Sequence, residues 1–207
     1  MTAFRRGRLV ALEGGEACGK STQAARLAER LGATLTREPG GTGVGERIRA
    51  LLLDVGTAGL GDRAEALLLA AARAQHVAEV VGPALAAGGD VVTDRFVGSF
   101  LAYQGFGRRL PLGELRAVSA FATAGIAPDV VVVLDVPAEV AAARKDRPPD
   151  RLEAAGAGFH RRVVEGFLAL AAEDPSRWTV VDGTGPIDDV AQRVWAAVAP
   201  RLLPAKP

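Results

Sequence analysis

The chain has 207 residues, 49% apolar and 24% charged, with 25 Lys and Arg against 24 Asp and Glu for a formal net charge of +1. That mix argues against disorder and leaves no basic excess for a nucleic-acid partner. A lone cysteine excludes an internal disulfide and argues against a cysteine-based zinc site, and no apolar run approaches the ~18 residues of a membrane span.

The apolar run that follows the basic start is too short for a secretory signal. A cytoplasmic chain forming one domain over residues 1–207, free of membrane and nucleic acid, is therefore expected. In chain order, Arg8–Glu13 predicts a strand that ends at glycines. Lys20–Leu31 carries Ala24, Leu27, Ala28 and Leu31 at helical spacing. Thr34–Arg37 predicts a short second strand, and Gly45–Leu53 a helix. Asp62–Val81 predicts a longer helix, with Asp62 as its N-cap and Glu65 completing a capping box. Asp90–Asp94 predicts a third strand, and Pro111–Thr123 a helix with proline at an early position. Val130–Asp135 is a continuous β-branched run without polar alternation, the pattern of a strand covered on both faces. Pro137–Arg144 predicts a helix, and the Pro- and Gly-rich stretch Lys145–Gly158 a mobile loop. Phe159–Glu173 predicts a helix, Trp178–Asp182 a fifth strand, and Ile187–Leu203 a closing helix before a frayed end. Strands alternating with helices imply an α/β fold: a doubly wound parallel five-stranded sheet flanked by helices.

The strongest local signal is Gly14-Gly15-Glu16-Ala17-Cys18-Gly19-Lys20-Ser21. It has the form G-x-x-x-x-G-K-[ST], placed directly between a strand and a helix, as a phosphate-binding loop requires. Glycines let the backbone curl until successive N–H groups face phosphate oxygens, and the helix that follows adds its positive dipole end. Lys20 is expected to bridge the β and γ phosphates and Ser21 to ligate Mg²⁺, with Thr22 continuing the loop. Cys18 is expected to be a small residue filling a tight turn. Lysine occurs only at Lys20, Lys145 and Lys206, which sets Lys20 apart.

Four further segments narrow the chemistry: Thr36-Arg37-Glu38-Pro39-Gly40-Gly41-Thr42, Leu67–His76, Asp94-Arg95-Phe96 with Ala102-Tyr103-Gln104-Gly105, and Asp150-Arg151-Leu152-Glu153. Together with the phosphate loop, this ordered set resembles the bacterial thymidylate kinases over about Arg8 to Leu170. The resemblance implies a P-loop nucleoside monophosphate kinase fold with a short lid at about 144–158. It implies transfer of a phosphoryl group from ATP to dTMP with Mg²⁺, and a homodimer. Asp94 ends a strand near the phosphate loop and suits Mg²⁺ or its water shell. Arg95 suits a clamp on donor and acceptor phosphates. Glu16 resembles the family's acidic residue near acceptor phosphate and metal, whereas Glu13 is expected to be structural. Arg73 corresponds to the arginine that donates to thymine O4, and Tyr103 to the tyrosine that crowds the sugar 2′ position. Gln104 beside it is placed to contact the nucleotide or a backbone group. Glu38 and Pro39 lie at the rim of the base pocket, and Arg49 is a candidate for the acceptor phosphate.

The chain departs from the family pattern at two positions. Leu69 stands where a phenylalanine usually stacks on thymine. Gly98-Ser99-Phe100 replaces the common Asp-Ser-Ser, which makes Phe100 the candidate for the missing aromatic face. Some relatives carry a catalytic arginine in the phosphate loop, where this chain has Ala17. The lid offers Arg144, Arg147 and Arg151 instead, with Arg147 and Arg151 the first expectation. His76 and His160 lack a metal-ligand pattern and are expected to be structural or on the surface. Two alternatives stay open: a kinase for another nucleoside monophosphate such as dUMP, and a nucleotide-binding switch without transfer chemistry.

Overall fold

The computed structural model describes residues 6–57, 59–144 and 148–202. Five strands form one sheet: β1 (Leu9–Gly14), β2 (Thr34–Arg37), β3 (Val91–Asp94), β4 (Val130–Asp135) and β5 (Trp178–Asp182). All pair in parallel, in the order β2-β3-β1-β4-β5. The register sets Leu12 beside Asp94 and Gly14 beside Leu134, so the C-terminal ends of β1, β3 and β4 open together.

Period-two alternation sorts the central strands onto the two faces of the sheet. Val10, Leu12, Val130, Val132 and Leu134 pack with α1 (Lys20–Leu31) and α9 (Ile187–Leu202). Val133, from the opposite face of β4, joins Leu101, Tyr103, Phe159, Val163 and Phe167 against α8 (Ala157–Glu173). Leu9, Ala11 and Val131 meet Val77, Val81, Leu85 and Phe96. Each fully buried Val or Leu contributes roughly 1.5–3 kcal/mol, which is why β1 and β4 carry no polar alternation. Among the described residues, no helix is long and apolar enough to cross a membrane.

The remaining helices are α2 (Gly43–Leu53), α3 (Asp62–His76), α4 (Gly82–Ala86), α5 (Val97–Phe100), α6 (Leu112–Thr123) and α7 (Ala138–Ala143). α2 begins two residues earlier than its periodicity predicts, because Thr42 Oγ1 accepts from the Gly45 N–H at 2.9 Å. The helix expected over 62–81 changes geometry at its end. Its α-helical part stops at His76 and a π turn covers Val77–Val81, where the Gly82 N–H donates to Val77 O. Only glycine suits that approach, since a Cβ at Gly82 would lie 2.9 Å from the same oxygen. The capping box expected at Asp62 and Glu65 does not form. Gly61 is the N-cap, no side chain caps the helix, and the Glu65 carboxylate turns inward to two arginines.

Val97–Gly107, whose three glycines obscure any period, is helical: α5 runs into a second π turn over Leu101–Gly107. Within the loop expected over 145–158, Glu153–Ala155 form a short 3₁₀ turn and α8 already starts at Ala157. The frayed end is expected from Leu202, which is still the last residue of α9; Lys145 to Arg147 and the residues from Leu203 onward lie outside the described residues.

Candidate active site

The strand order reverses around β1, and ligands of open parallel sheets bind beyond the strand ends at such a switch. The phosphate loop leaves β1 there. Gly14 has φ +139°, and a Cβ on it would sit 2.6 Å from Leu134 O, so only glycine fits. Gly19, at φ 93°, caps α1 without any side-chain help, leaving the first N–H groups of the helix open to an anion. Lys20 is buried; its Nζ donates to Gly15 O at 2.5 Å and stands 3.4 Å from Cys18 Sγ. Cys18 itself packs into the core beneath the loop.

Two adjoining clefts open at this end of the sheet. Glu16 to Thr22 line the first, with Arg37, Asp94 and Arg144. In it the Ser21 hydroxyl donates to Asp94 Oδ2 at 2.5 Å, while Asp94 Oδ1 is buried without a hydrogen-bond partner. Every residue expected to bind the acceptor lines the second cleft: Glu38, Pro39, Arg49, Leu69, Arg73, Arg95, Ser99, Phe100, Tyr103 and Gln104. Leu53, Phe96, Asp150, Leu152 and Glu153 complete that wall. Glu16, Glu38, Arg49, Arg95 and Glu153 line both clefts and mark their junction.

Arg95 dominates the junction. Its backbone sits at φ 72°, a left-handed conformation that a non-glycine residue adopts at a cost of order 1–3 kcal/mol. The Arg95 N–H donates to Leu12 O at 2.9 Å, which fixes that conformation against β1. The guanidinium donates to Glu16 Oε1 at 2.7 Å, Gly14 O at 3.2 Å, Ser99 Oγ at 3.1 Å and the Tyr103 hydroxyl at 3.3 Å. The Tyr103 hydroxyl in turn donates to Glu16. Burial pushes the Glu16 carboxyl up, but Arg95, Lys20 and the Tyr103 hydroxyl outweigh it and hold it down at about 2. Behind this layer, Glu13 accepts from the Phe96 N–H at 3.0 Å and the Ser99 hydroxyl at 2.5 Å, with its own carboxyl pushed up by burial. Glu13 thereby shapes the turn that presents Arg95.

In the second cleft, Arg73 is held from several sides. Nε donates to Glu38 Oε2 at 2.7 Å and Nη2 to Phe96 O at 3.1 Å, while Nη1 is buried and unpartnered. The guanidinium carbon lies 5.5 Å from the Phe96 ring centre and 5.1 Å from that of Phe100. Phe100 therefore both lines the cleft and packs on the arginine. The other Glu38 oxygen meets His76 Nδ1 at 3.0 Å, and His76 Nε2 meets Thr36 Oγ1 at 2.6 Å. Because a carboxylate only accepts, the Nδ1 proton faces Glu38. Gln104 Nε2 donates to Glu65 Oε1 at 2.9 Å, leaving Gln104 Oε1 buried without a partner.

The three arginines expected to act from a lid divide. Arg144 lines the phosphate cleft and donates to Gly183 O at 3.1 Å. Arg147 lies outside the described residues. Arg151 lines neither cleft; its Nε donates to Leu52 O at 2.7 Å and its Nη2 pairs with Glu65 at 2.7 Å. Glu65 is the residue that local pattern concealed. Its signal was available in the spacing, since Glu65, Leu69 and Arg73 follow each other at four-residue steps along one helix face.

The thymidylate kinase family model matches residues 12–194. The thymidylate kinase of Synechococcus sp. (strain JA-3-3Ab) is 49% identical over 203 residues, 96% of this chain and 98% of that protein. The thymidylate kinase of Deinococcus radiodurans is 46% identical over 202 residues, 94% and 98% of the two chains. Among solved structures, the crystal structure of thymidylate kinase from Ehrlichia chaffeensis superposes with a TM-score of 0.78 at 28% identity, covering 93% of this chain and 99% of that one.

Proposed function

The chain belongs to the thymidylate kinase family, and from that premise we propose that it transfers the γ-phosphoryl group of ATP to dTMP, giving ADP and dTDP. The observation that carries the choice of base is that Arg73 and Gln104 both line the acceptor cleft while each keeps one buried polar atom without a partner in the protein: the Arg73 Nη1 donor and the Gln104 Oε1 acceptor. Thymine offers an O4 acceptor beside an N3–H donor, which complements that pair. Cytosine offers an amino donor beside an N3 acceptor, which opposes both atoms, and unpaired buried polar groups reject a ligand strongly.

Phosphoryl transfer needs positioning and charge neutralisation more than covalent chemistry. The loop N–H groups and Lys20 would hold the ATP phosphates. Ser21 and Asp94 fit Mg²⁺, because they offer hard oxygen donors and Asp94 Oδ1 lacks any other partner. When bound, the ion neutralises charge on the β and γ oxygens. Arg95, at the junction, faces donor and acceptor phosphates together, with Glu16 holding its planar group. Arg49, whose Nη1 donates to Pro39 O at 2.9 Å, is assigned to the acceptor phosphate, and Arg144 to the donor side. The Tyr103 ring walls the cleft on the sugar side, its hydroxyl fixed by Glu16 and Arg95.

Arg73→Ala tests the base assignment. The wild type is expected to prefer dTMP over dCMP strongly in kcat/KM, and the variant to lose 10-fold or more of that preference, the size of one buried hydrogen bond with a charged donor. An unchanged dTMP/dCMP ratio in a folded variant refutes the role. A homodimer is proposed with the kinase. Phe121 on α6 is 89% exposed and Leu67 on α3 is 60% exposed, large apolar side chains that a second copy would cover. Its solution mass should be twice 21.4 kDa; a monomer would contradict the pairing.

A further inference from the structure

Glu65 lines neither cleft, yet it organises two parts of the acceptor site. Its carboxylate is fully buried. One oxygen accepts from Gln104 Nε2 at 2.9 Å and Arg108 Nε at 3.2 Å; the other accepts from Arg108 Nη2 at 3.0 Å and pairs with Arg151 Nη2 at 2.7 Å. Burial pushes the Glu65 carboxyl up, but the bonds from Arg108, Gln104 and Arg151 outweigh it and hold the carboxyl below its ordinary range.

The side-chain amide of glutamine is nearly symmetric in shape, so its neighbours decide which atom faces which way. An acceptor-only carboxylate forces Gln104 to present Nε2 to Glu65 and to leave Oε1 free. Arg151 does the second job. It is held by two hydrogen bonds, Nε on Leu52 O and its N–H on Leu53 O at 3.2 Å, and by an ion pair of Nη2 with Glu65 that lacks hydrogen-bond geometry. Its flanking residues Asp150, Leu152 and Glu153 wall the acceptor cleft. One carboxylate thus joins α3, the π turn that carries Gln104, and the segment that covers the base.

We propose that Glu65 is a positioning residue for the acceptor site: it sets the Gln104 amide to accept from the base and seats the Arg151 segment over the cleft, so that the site is complete before ATP binds. The inference rests on the base assignment above. Its distinguishing consequence is that Arg151, which touches neither cleft, governs dTMP affinity in the absence of ATP.

Calorimetric titration of dTMP into ATP-free protein, beside the dTMP/dCMP ratio of kcat/KM, tests it. Arg151→Ala is expected to weaken dTMP binding about 10-fold, corresponding to 1.4 kcal/mol, while Glu65 keeps Arg108 and the fold. Glu65→Gln is expected to weaken binding similarly and to erode the dTMP/dCMP preference about 10-fold, because the new amide can also donate and lets Gln104 turn over. The double variant should be no weaker than the worse single one, since both break one connection. Unchanged ATP-free dTMP affinity in Arg151→Ala, with loss confined to kcat, would place Arg151 on the transferring phosphoryl group and overturn the proposal. An unchanged preference in a folded Glu65→Gln would overturn it too, and if that variant does not fold, the Arg151→Ala titration decides alone. A wild type without preference for dTMP over dCMP would instead remove the base assignment before Glu65 is touched.

Discussion

Replacing Lys20 by alanine is expected to leave a folded protein whose turnover with ATP and dTMP falls by about 10³-fold. The loop does not depend on Lys20 for its shape. That shape comes from the positive φ of Gly14 and Gly19 and from the start of α1, where alanine is the best helix former. What is lost is a buried ammonium on a short tether, now resting on Gly15 O and Cys18 Sγ and free to exchange those contacts for phosphate oxygens. Pre-placed donors of this kind are worth roughly 10²–10³ in rate when charge develops in a water-poor site. Coupled ADP release gives kcat, and the thermal midpoint controls for folding. Turnover near the wild-type level in a folded variant would remove the phosphate assignment from the loop.

Arg95→Ala is expected to cost at least as much, in the range of 10³–10⁵ that an arginine on the transferring group supplies. The variant keeps the same backbone strain, because alanine at φ 72° meets the same Cβ penalty as arginine. The loss is therefore read from the guanidinium alone. Arg95→Lys should recover little, since an ammonium cannot bridge Glu16, Gly14 O and Ser99 at once. A second signature follows from Glu16. Its carboxyl is held at about 2, below the ordinary value, so its ionised form and the stability tied to it persist above the ordinary carboxylate range and are lost only as pH falls toward 2. Without Arg95 that carboxyl titrates higher, and less stability should be gained between pH 2 and the ordinary carboxylate range. A kcat within a few-fold of wild type, or a pH profile of unfolding identical to that of the wild type, would contradict the role.

Much of this architecture is legible before folding. The bounds of α1, β2, β4 and β5 coincide with those the sequence predicts; α1 carries a clean helical period and β4 a continuous β-branched run closed by Asp135 and Pro137. The phosphate loop is legible because its chemistry is local: eight consecutive residues contain the turn, the anion site and the helix start. The acceptor residues were named through resemblance, and their meeting in one cleft depends on contacts between segments far apart in the chain. Three features resisted. The π turns at Val77–Val81 and Leu101–Gly107 shift the helical phase, so no 3.6-residue period describes them. Glu65 carries the local signature of a capping box, and only Arg108 and Arg151, remote in sequence, draw it inward. Arg151 belongs to a polar stretch that reads as a lid, and its docking on α2 and α3 has no local signal.

Steady-state turnover of the wild type with Mg²⁺, ATP and each of dTMP, dUMP, dCMP, dGMP and UMP is the most direct test of the base and sugar assignments. The donor–acceptor pair of Arg73 and Gln104 predicts turnover of dTMP and dUMP, with dCMP far behind in kcat/KM, and Tyr103 predicts UMP well below dUMP. Turnover of dCMP comparable to that of dTMP would contradict the account.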